Sequence, residues 1–179
     1  LRDELISKGY KFISNSDTEV LLNGFIEFRH KILKKIDGIF AFIIYDTVGD
    51  EVFFARDHFG VKPLYYFENK SELLISSETR IFNKTHEIND KSKILFLSHG
   101  YIPSPDTLFK NVYSLNPGNY AVYKDGSLII KEYFSPLNEI CNKREDYDNK
   151  LLKKSIRKQL ISDANIGTFF SGGIDSSII

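Results

Sequence analysis

Methionine and tryptophan are absent from the 179 residues, and cysteine occurs once, at Cys141. One thiol excludes an internal disulfide framework and suits a reducing compartment. Net charge is lacking as well: 24 basic and 24 acidic side chains cancel, and the pI is near 7.1. That balance removes the global electrostatic case for nucleic acid or anionic membrane as the main partner. Long apolar runs are also missing. The longest, Ile39–Tyr45, has seven residues and cannot span a bilayer. No basic leader followed by an apolar stretch opens the chain. A translated chain begins with Met, whereas this one begins at Leu1 in a segment that reads as mid-helix. Ser171–Ile179 enters a helix that then stops. Both ends are therefore expected to be excerpt boundaries.

What is present argues for folding. Apolar residues make up 42% and aromatics 14%, too many for a disordered chain. The length predicts one domain, or one plus part of another. Residues 1–9 read as a helix end with Gly9 as the stop, and Tyr10 and Phe12 suggest a short strand. Ser16-Asp17-Thr18-Glu19 has the form of a capping box, and the spacing of Leu21, Phe25, Phe28 and Ile32 predicts a helix to about Ile36. Four β-rich runs follow, Ile39–Asp46, Glu51–Arg56, Leu64–Phe67 and Glu72–Ser76, expected as a meander of adjacent antiparallel strands. Their consecutive apolar residues, IFAFII especially, predict strands covered on both faces. A helix is expected around Lys91–Ser98, and a hairpin at Asp125-Gly126 between Tyr120–Tyr123 and Leu128–Tyr133. Residues 135–145 read as a linker. From Asp146 a helical pattern carries Lys150, Lys153, Lys154, Arg157 and Lys158, an anion patch or a solvated face. Ile166–Phe170 reads as a buried strand entering Ser171-Gly172-Gly173-Ile174-Asp175-Ser176-Ser177.

That strand–loop–helix junction is where chemistry is expected first. Glycines let the backbone approach a ligand, and the first N–H groups of a helix lack internal partners. With the helix dipole and the hydroxyls of Ser171, Ser176 and Ser177, the pattern reads as a phosphate cradle. No Gly-Lys-Ser/Thr occurs, so it is not a Walker loop. A plain Gly-rich turn capped by Asp175 or Ser176 is the alternative. Elsewhere Arg56-Asp57 is expected to form an ion pair closing a turn, Glu78 to cap a helix, and His30 to be an ordinary helix residue. Asn69-Lys70-Ser71 and Asn83-Lys84-Thr85 fit the glycosylation sequon by chance.

SGGIDSS resembles the pyrophosphate loop of the ATP pyrophosphatases, and the lead-in Ser162–Phe170 resembles that of the glutamine-dependent asparagine synthetases. Asp37–Asp46 (DGIFAFIIYD), Arg56–Tyr66 (RDHFGVKPLYY), Ser76-Ser77-Glu78, Gly100-Tyr101-Ile102-Pro103 and Asn116-Pro117-Gly118 are similar to the glutaminase domain of the same enzymes, in family order. The resemblance implies an α+β fold: a partial αββα sandwich of the N-terminal-nucleophile type over 1–134. After a linker at 135–145, residues 146–179 begin an α/β pyrophosphate-loop domain. The nucleophilic N-terminal cysteine, the oxyanion residues and the arginine for the glutamine carboxylate then lie outside this chain, leaving no catalytic residue within it. Cys141 is expected to be a bland thiol.

By the same resemblance Asp17 binds the glutamine α-ammonium. An acidic residue in a first helical turn also stabilises the helix without any ligand. Phe169 would contact ATP through its backbone, with Ser171, Gly172, Gly173, Asp175, Ser176 and Ser177 at the phosphates and Asp175 near Mg²⁺. Glutamine, aspartate and ATP are the implied substrates of a cytoplasmic asparagine synthetase, inactive as this piece alone, and a homodimer of the full-length parent is compatible with the family. An amidotransferase with another acceptor, such as a β-lactam synthetase or a surface-polysaccharide enzyme, and a non-catalytic binding module are the rival readings.

Overall fold

A computed structural model describes residues 1–138 and 149–179. Cys141, most of the expected linker and the start of the helix expected from Asp146 lie outside the described residues. The chain divides into two compact units, Leu1–Glu139 and Ile140–Ile179.

The first unit opens with α1 (Arg2–Ser7), which buries Leu5 and ends before Gly9 at φ +95°. Tyr10 and Phe12 form no strand; they belong to an extended lead into α2 (Asp17–Phe28). The apolar period continues past Phe28, yet the α-helix stops there. Arg29 takes φ +50°, and a 3-10 segment, Arg29–Lys34, carries the buried Ile32 and Leu33 onward. The Arg29 guanidinium reaches Asp46 at 2.6 Å, so an ion pair to the first strand accompanies the break in the helix.

The expected meander is in fact two sheets. β1 (Ala41–Asp46) and β2 (Glu51–Arg56) pair antiparallel, while β3 (Tyr65–Glu68) and β4 (Leu73–Ser76) form a second hairpin. After the 3-10 segment Thr79–Lys84 and α3 (Asp90–His99) come β5 (Val112–Ser114), β6 (Asn119–Lys124) and β7 (Ser127–Glu132). The strand orders are β1-β2-β6-β7 and β4-β3-β5, all antiparallel. The hairpin at Asp125-Gly126 is present, both residues at positive φ.

Period-two alternation then assigns each face. Phe53, Ala55, Phe42, Ile44, Tyr120 and Val122 pack with Phe25, Ile32 and Leu33 of the helical layer. Phe54, Val52 and Ala121 point the other way, onto Leu64, Tyr66, Leu73, Ile75 and Leu115 of the second sheet. That sheet's outer residues, Tyr65, Phe67 and Leu74, meet Phe82 of the second 3-10 segment and Phe109. The layers run helix, sheet, sheet, helical segment, an αββα sandwich. β2 is covered on both faces, as its VFFA run predicts. β1 is not, because it is an edge strand with Ile43 and Tyr45 exposed.

The second unit contains α4 (Asn149–Gln159) and the short α5 (Ile174–Ile178). The strand expected over Ile166–Phe170 is absent, and both Phe169 and Phe170 are exposed. A strand is held by ladder bonds to neighbours, and residues 149–179 supply no neighbouring strand.

Candidate functional site

The start of α2 is built from several directions. Ser16 Oγ accepts from the N–H of Thr18 at 3.1 Å, capping the helix. The reciprocal half of the expected capping box is redirected: the Glu19 carboxylate accepts from the N–H groups of Ile13 and Ser14, each at 2.8 Å, and from the Ser14 hydroxyl at 2.7 Å. These bonds, the Ser14 hydroxyl foremost, hold Glu19 below the usual carboxylate range. Arg2 of α1 donates to the carbonyls of Ser14 and Ser16 at 2.8 and 3.0 Å while lying over the Phe12 ring. Asp17, the first residue of α2, is therefore delivered by a lead-in fixed at both ends. Its carboxylate is exposed.

Asp17 lines a cleft of about 570 Å³. Around it stand Thr18, the segment Asp37–Phe42 leading into β1, Lys62, Pro63 and Ser77 just after β4. Asp37-Gly38 and Lys62-Pro63, each within a run that resembles the glutaminase domain, are walls of this cleft. The usable signal was the RDHFGVKP run, whose polar and turn residues are bound to one another.

Arg56 and Asp57 form no ion pair of the kind expected. The Arg56 guanidinium donates to the carbonyls of Gly60 (2.8 Å), Lys62 (2.7 Å) and Leu115 (2.7 Å) and to Ser114 Oγ (2.9 Å). Asp57, 2% exposed, accepts from the N–H groups of Phe59, Val61 and Lys62 at 3.1, 3.0 and 2.9 Å. Burial alone would push that carboxyl up, but the surrounding N–H donors outweigh it and hold the group below its ordinary value. One residue supplies donors and the next acceptors, so the loop between β2 and β3 has its carbonyls and amides bound to fixed side chains. Gly60, at φ +66°, is required: a Cβ there would lie 2.8 Å from Pro117 Cγ and 3.0 Å from Arg56 Cζ. Tyr133 completes the corner, its hydroxyl donating to the Arg56 carbonyl at 2.8 Å, and burial pushes that phenol up.

Neither Glu78 nor His30 joins the cleft lining. Glu78 precedes the 3-10 segment without a side-chain cap and pairs with Arg80. His30, expected in an α-helix, lies in the first 3-10 segment and stacks on Tyr120.

In the second unit, Ser171–Ser177 folds as a compact loop. Gly172 takes φ +78° and Gly173 is the N-cap of α5, with no side-chain cap bond, so neither Asp175 nor Ser176 caps the helix. Ser171 Oγ and Ser176 Oγ lie 3.0 Å apart, and the hydroxyls of Ser176 and Ser177 donate to the Gly173 carbonyl at 3.1 and 2.7 Å. Asp175 is exposed in the first turn, and Phe169 is exposed before the loop. No cluster of three metal-ligating side chains occurs among the described residues. One carboxylate beside hydroxyls suits Mg²⁺, which takes one or two carboxylates and draws its other ligands from water and phosphate. Lys150, Lys153, Lys154, Arg157 and Lys158 line one groove on α4.

Comparison with known proteins matches these units separately. The glutamine amidotransferase domain family matches residues 1–134, and the asparagine synthase family matches residues 149–179. A glutamine-hydrolysing asparagine synthetase, number 1 of Bacillus subtilis, is 35% identical across the whole chain, which covers 30% of that protein. A putative asparagine synthetase of Methanocaldococcus jannaschii, number 2, is 33% identical over 93% of the chain and 35% of its own length. The chain thus spans about a third of the curated relatives it matches. Among solved structures, the glutamine phosphoribosylpyrophosphate amidotransferase of B. subtilis superposes with a TM-score of 0.51 at 21% identity, covering 74% of this chain and 26% of that one. That likeness is one of fold, and it agrees with the αββα layers. By the match over residues 1–134, the chain belongs to the glutamine amidotransferase domain family, followed by the start of an asparagine synthase domain.

Proposed function

We propose that the chain is part of a glutamine-hydrolysing asparagine synthetase that works in the cytoplasm. Residues 1–134 supply most of the glutaminase domain, 135–145 the linker and 146–179 the start of the ATP-dependent domain. The observation that carries this reading is Asp17. It stands in the first turn of α2 and lines the cleft, as Asp37 does, whereas Glu19 of the same helix turn is engaged with Ile13 and Ser14. An exposed carboxylate lining a cleft fits the α-ammonium of glutamine. The cysteine nucleophile and oxyanion donors of the family have no counterpart in these 179 residues, so the piece alone does not release ammonia from glutamine.

In the full reaction ATP adenylates the aspartate side chain, because a carboxylate oxygen is a poor leaving group and AMP a good one. Ammonia from glutamine then displaces AMP, giving asparagine, glutamate, AMP and pyrophosphate. Phe169 would contact ATP through its backbone, Ser171, Gly172, Gly173, Asp175, Ser176 and Ser177 would hold the phosphates, and Asp175 would help hold Mg²⁺, which would offset charge on the pyrophosphate. Support comes from the open, left-handed Gly172, where nothing lies within 4 Å of a Cβ position and a phosphate could approach the backbone. The test is Asp17→Ala in the full-length gene product. The KM for glutamine should rise about tenfold to a hundredfold, the worth of one charge-assisted contact, with ammonia-dependent synthesis unchanged. An unchanged glutamine KM would reduce Asp17 to a helix-terminus residue.

A further inference from the structure

Asp57 does not line the cleft, yet it is bonded to both of its walls. Its backbone N–H donates to the Phe40 carbonyl at 2.9 Å, and its carboxylate accepts from the Lys62 N–H at 2.9 Å. Phe40 and Lys62 both line the cleft that holds Asp17. Lys62 is held at both of its backbone polar groups, its N–H by Asp57 and its carbonyl by Arg56 Nε at 2.7 Å. The remaining carboxylate bonds, to the N–H groups of Phe59 and Val61, fix the loop that carries Lys62. A carboxylate removed from water persists only where such donors surround it. Here all three donors come from the loop that becomes the wall.

We propose that Asp57 is a positioning residue for glutamine: it sets the separation of the Phe40 and Lys62 walls, and thereby the place of the ligand that Asp17 binds. The inference rests on the glutamine reading of the cleft. A wall held rigidly on the scaffold spares the ligand the ordering cost of closing it, so loosening the wall acts on binding before it acts on chemistry. Asn at position 57 keeps the side chain's shape but loses the charge and one acceptor oxygen, leaving the backbone tie to Phe40 in place.

The experiment measures steady-state glutamate formation by the full-length gene product for the wild type, Asp57→Asn and Asp17→Ala. Asp57→Asn should raise the glutamine KM about tenfold while kcat stays within about twofold, and ammonia-dependent synthesis should be unaffected. An unchanged KM in a folded Asp57→Asn protein, alongside a raised KM in Asp17→Ala, overturns the positioning role alone. An unchanged KM in Asp17→Ala overturns the glutamine reading and this inference with it. A second measurement needs no variant at position 57. Amide exchange across residues 58–63 of the wild-type protein, followed by mass spectrometry, should slow about tenfold with saturating L-glutamate, the product carrying the same α-ammonium and α-carboxylate. Equal rates with and without L-glutamate would overturn the proposal.

Discussion

Arg56 and Asp57 are neighbours of opposite charge that grip one loop from its two chemical sides, Arg56 by the carbonyls of Gly60 and Lys62 and Asp57 by the N–H groups of Phe59, Val61 and Lys62. Arg56 also reaches Ser114 and Leu115, at the end of β5, so the same side chain ties the first sheet to the second.

Lysine cannot replace that arginine. An ammonium is a single point donor, whereas the guanidinium here serves four acceptors in a planar fork. Arg56→Lys should cost about 2–3 kcal/mol, the scale of losing bonds between a charged group and half-buried carbonyls. Urea unfolding followed by circular dichroism measures this. A variant within about 0.5 kcal/mol of the wild type, the ordinary scatter of surface changes, would show the fork to be dispensable.

Two glycines at positive φ separate backbone strain from steric contact. Gly9, at φ +95°, has open space around its Cβ position, whereas Gly60, at φ +66°, faces Pro117 and Arg56. Gly9→Ala should cost about 1 kcal/mol from the left-handed backbone alone. Gly60→Ala should cost about 1–3 kcal/mol more from overpacking. Equal losses in the same denaturation assay would mean that Pro117 and Arg56 move aside freely.

Acid should weaken the join between α2 and β1. Asp46 accepts from Arg29 at 2.6 Å and from the N–H groups of Val48 and Gly49, and these bonds, Arg29 first, lower its pKa from 3.8 to about 2. Because the folded value lies below the unfolded one, the stabilisation is whole above about pH 4 and fades as pH falls toward 2. Carboxyl carbon chemical shifts of Asp46 across pH 1.5–6 should give a midpoint near 2 in the wild type, rising toward the ordinary value in Arg29→Ala. A midpoint near the ordinary value in both proteins would contradict the pairing.

Much of this was legible because local chemistry and global fold agree. The Asp125-Gly126 hairpin needed only its turn residues, whereas consecutive apolar residues marked a doubly covered strand at β2 but not at β1, whose IFAFII run was the strongest case. What failed depended on distant partners. The α2 helix stops at Phe28 although its apolar spacing runs on, and there Arg29 turns to positive φ and pairs with Asp46, seventeen residues later. The four-strand meander became two hairpins in separate sheets because β6 takes the place beside β2 and β5 the place beside β3. Periodicity carries no information about which strand will pair with which. For the same reason Ile166–Phe170, apolar enough for a buried strand, forms none without a neighbouring strand among the described residues of its own unit. In the cleft, the capping box placed Asp17 in the first turn of α2, while the lining by Asp17 and Lys62 together depends on the three-dimensional path of the chain.

Two carboxylates carry two chemistries in the proposed enzyme, and one paired assay separates them. Glutamate formation and pyrophosphate release are measured side by side in the full-length gene product, in the wild type, Asp17→Ala and Asp175→Ala. Asp175→Ala should abolish pyrophosphate release with either glutamine or ammonia as nitrogen source and leave basal glutamate formation largely intact. Asp17→Ala should do the reverse, impairing glutamine use alone. Undiminished pyrophosphate release in Asp175→Ala would remove the Ser171–Ser177 loop from the mechanism and contradict the account.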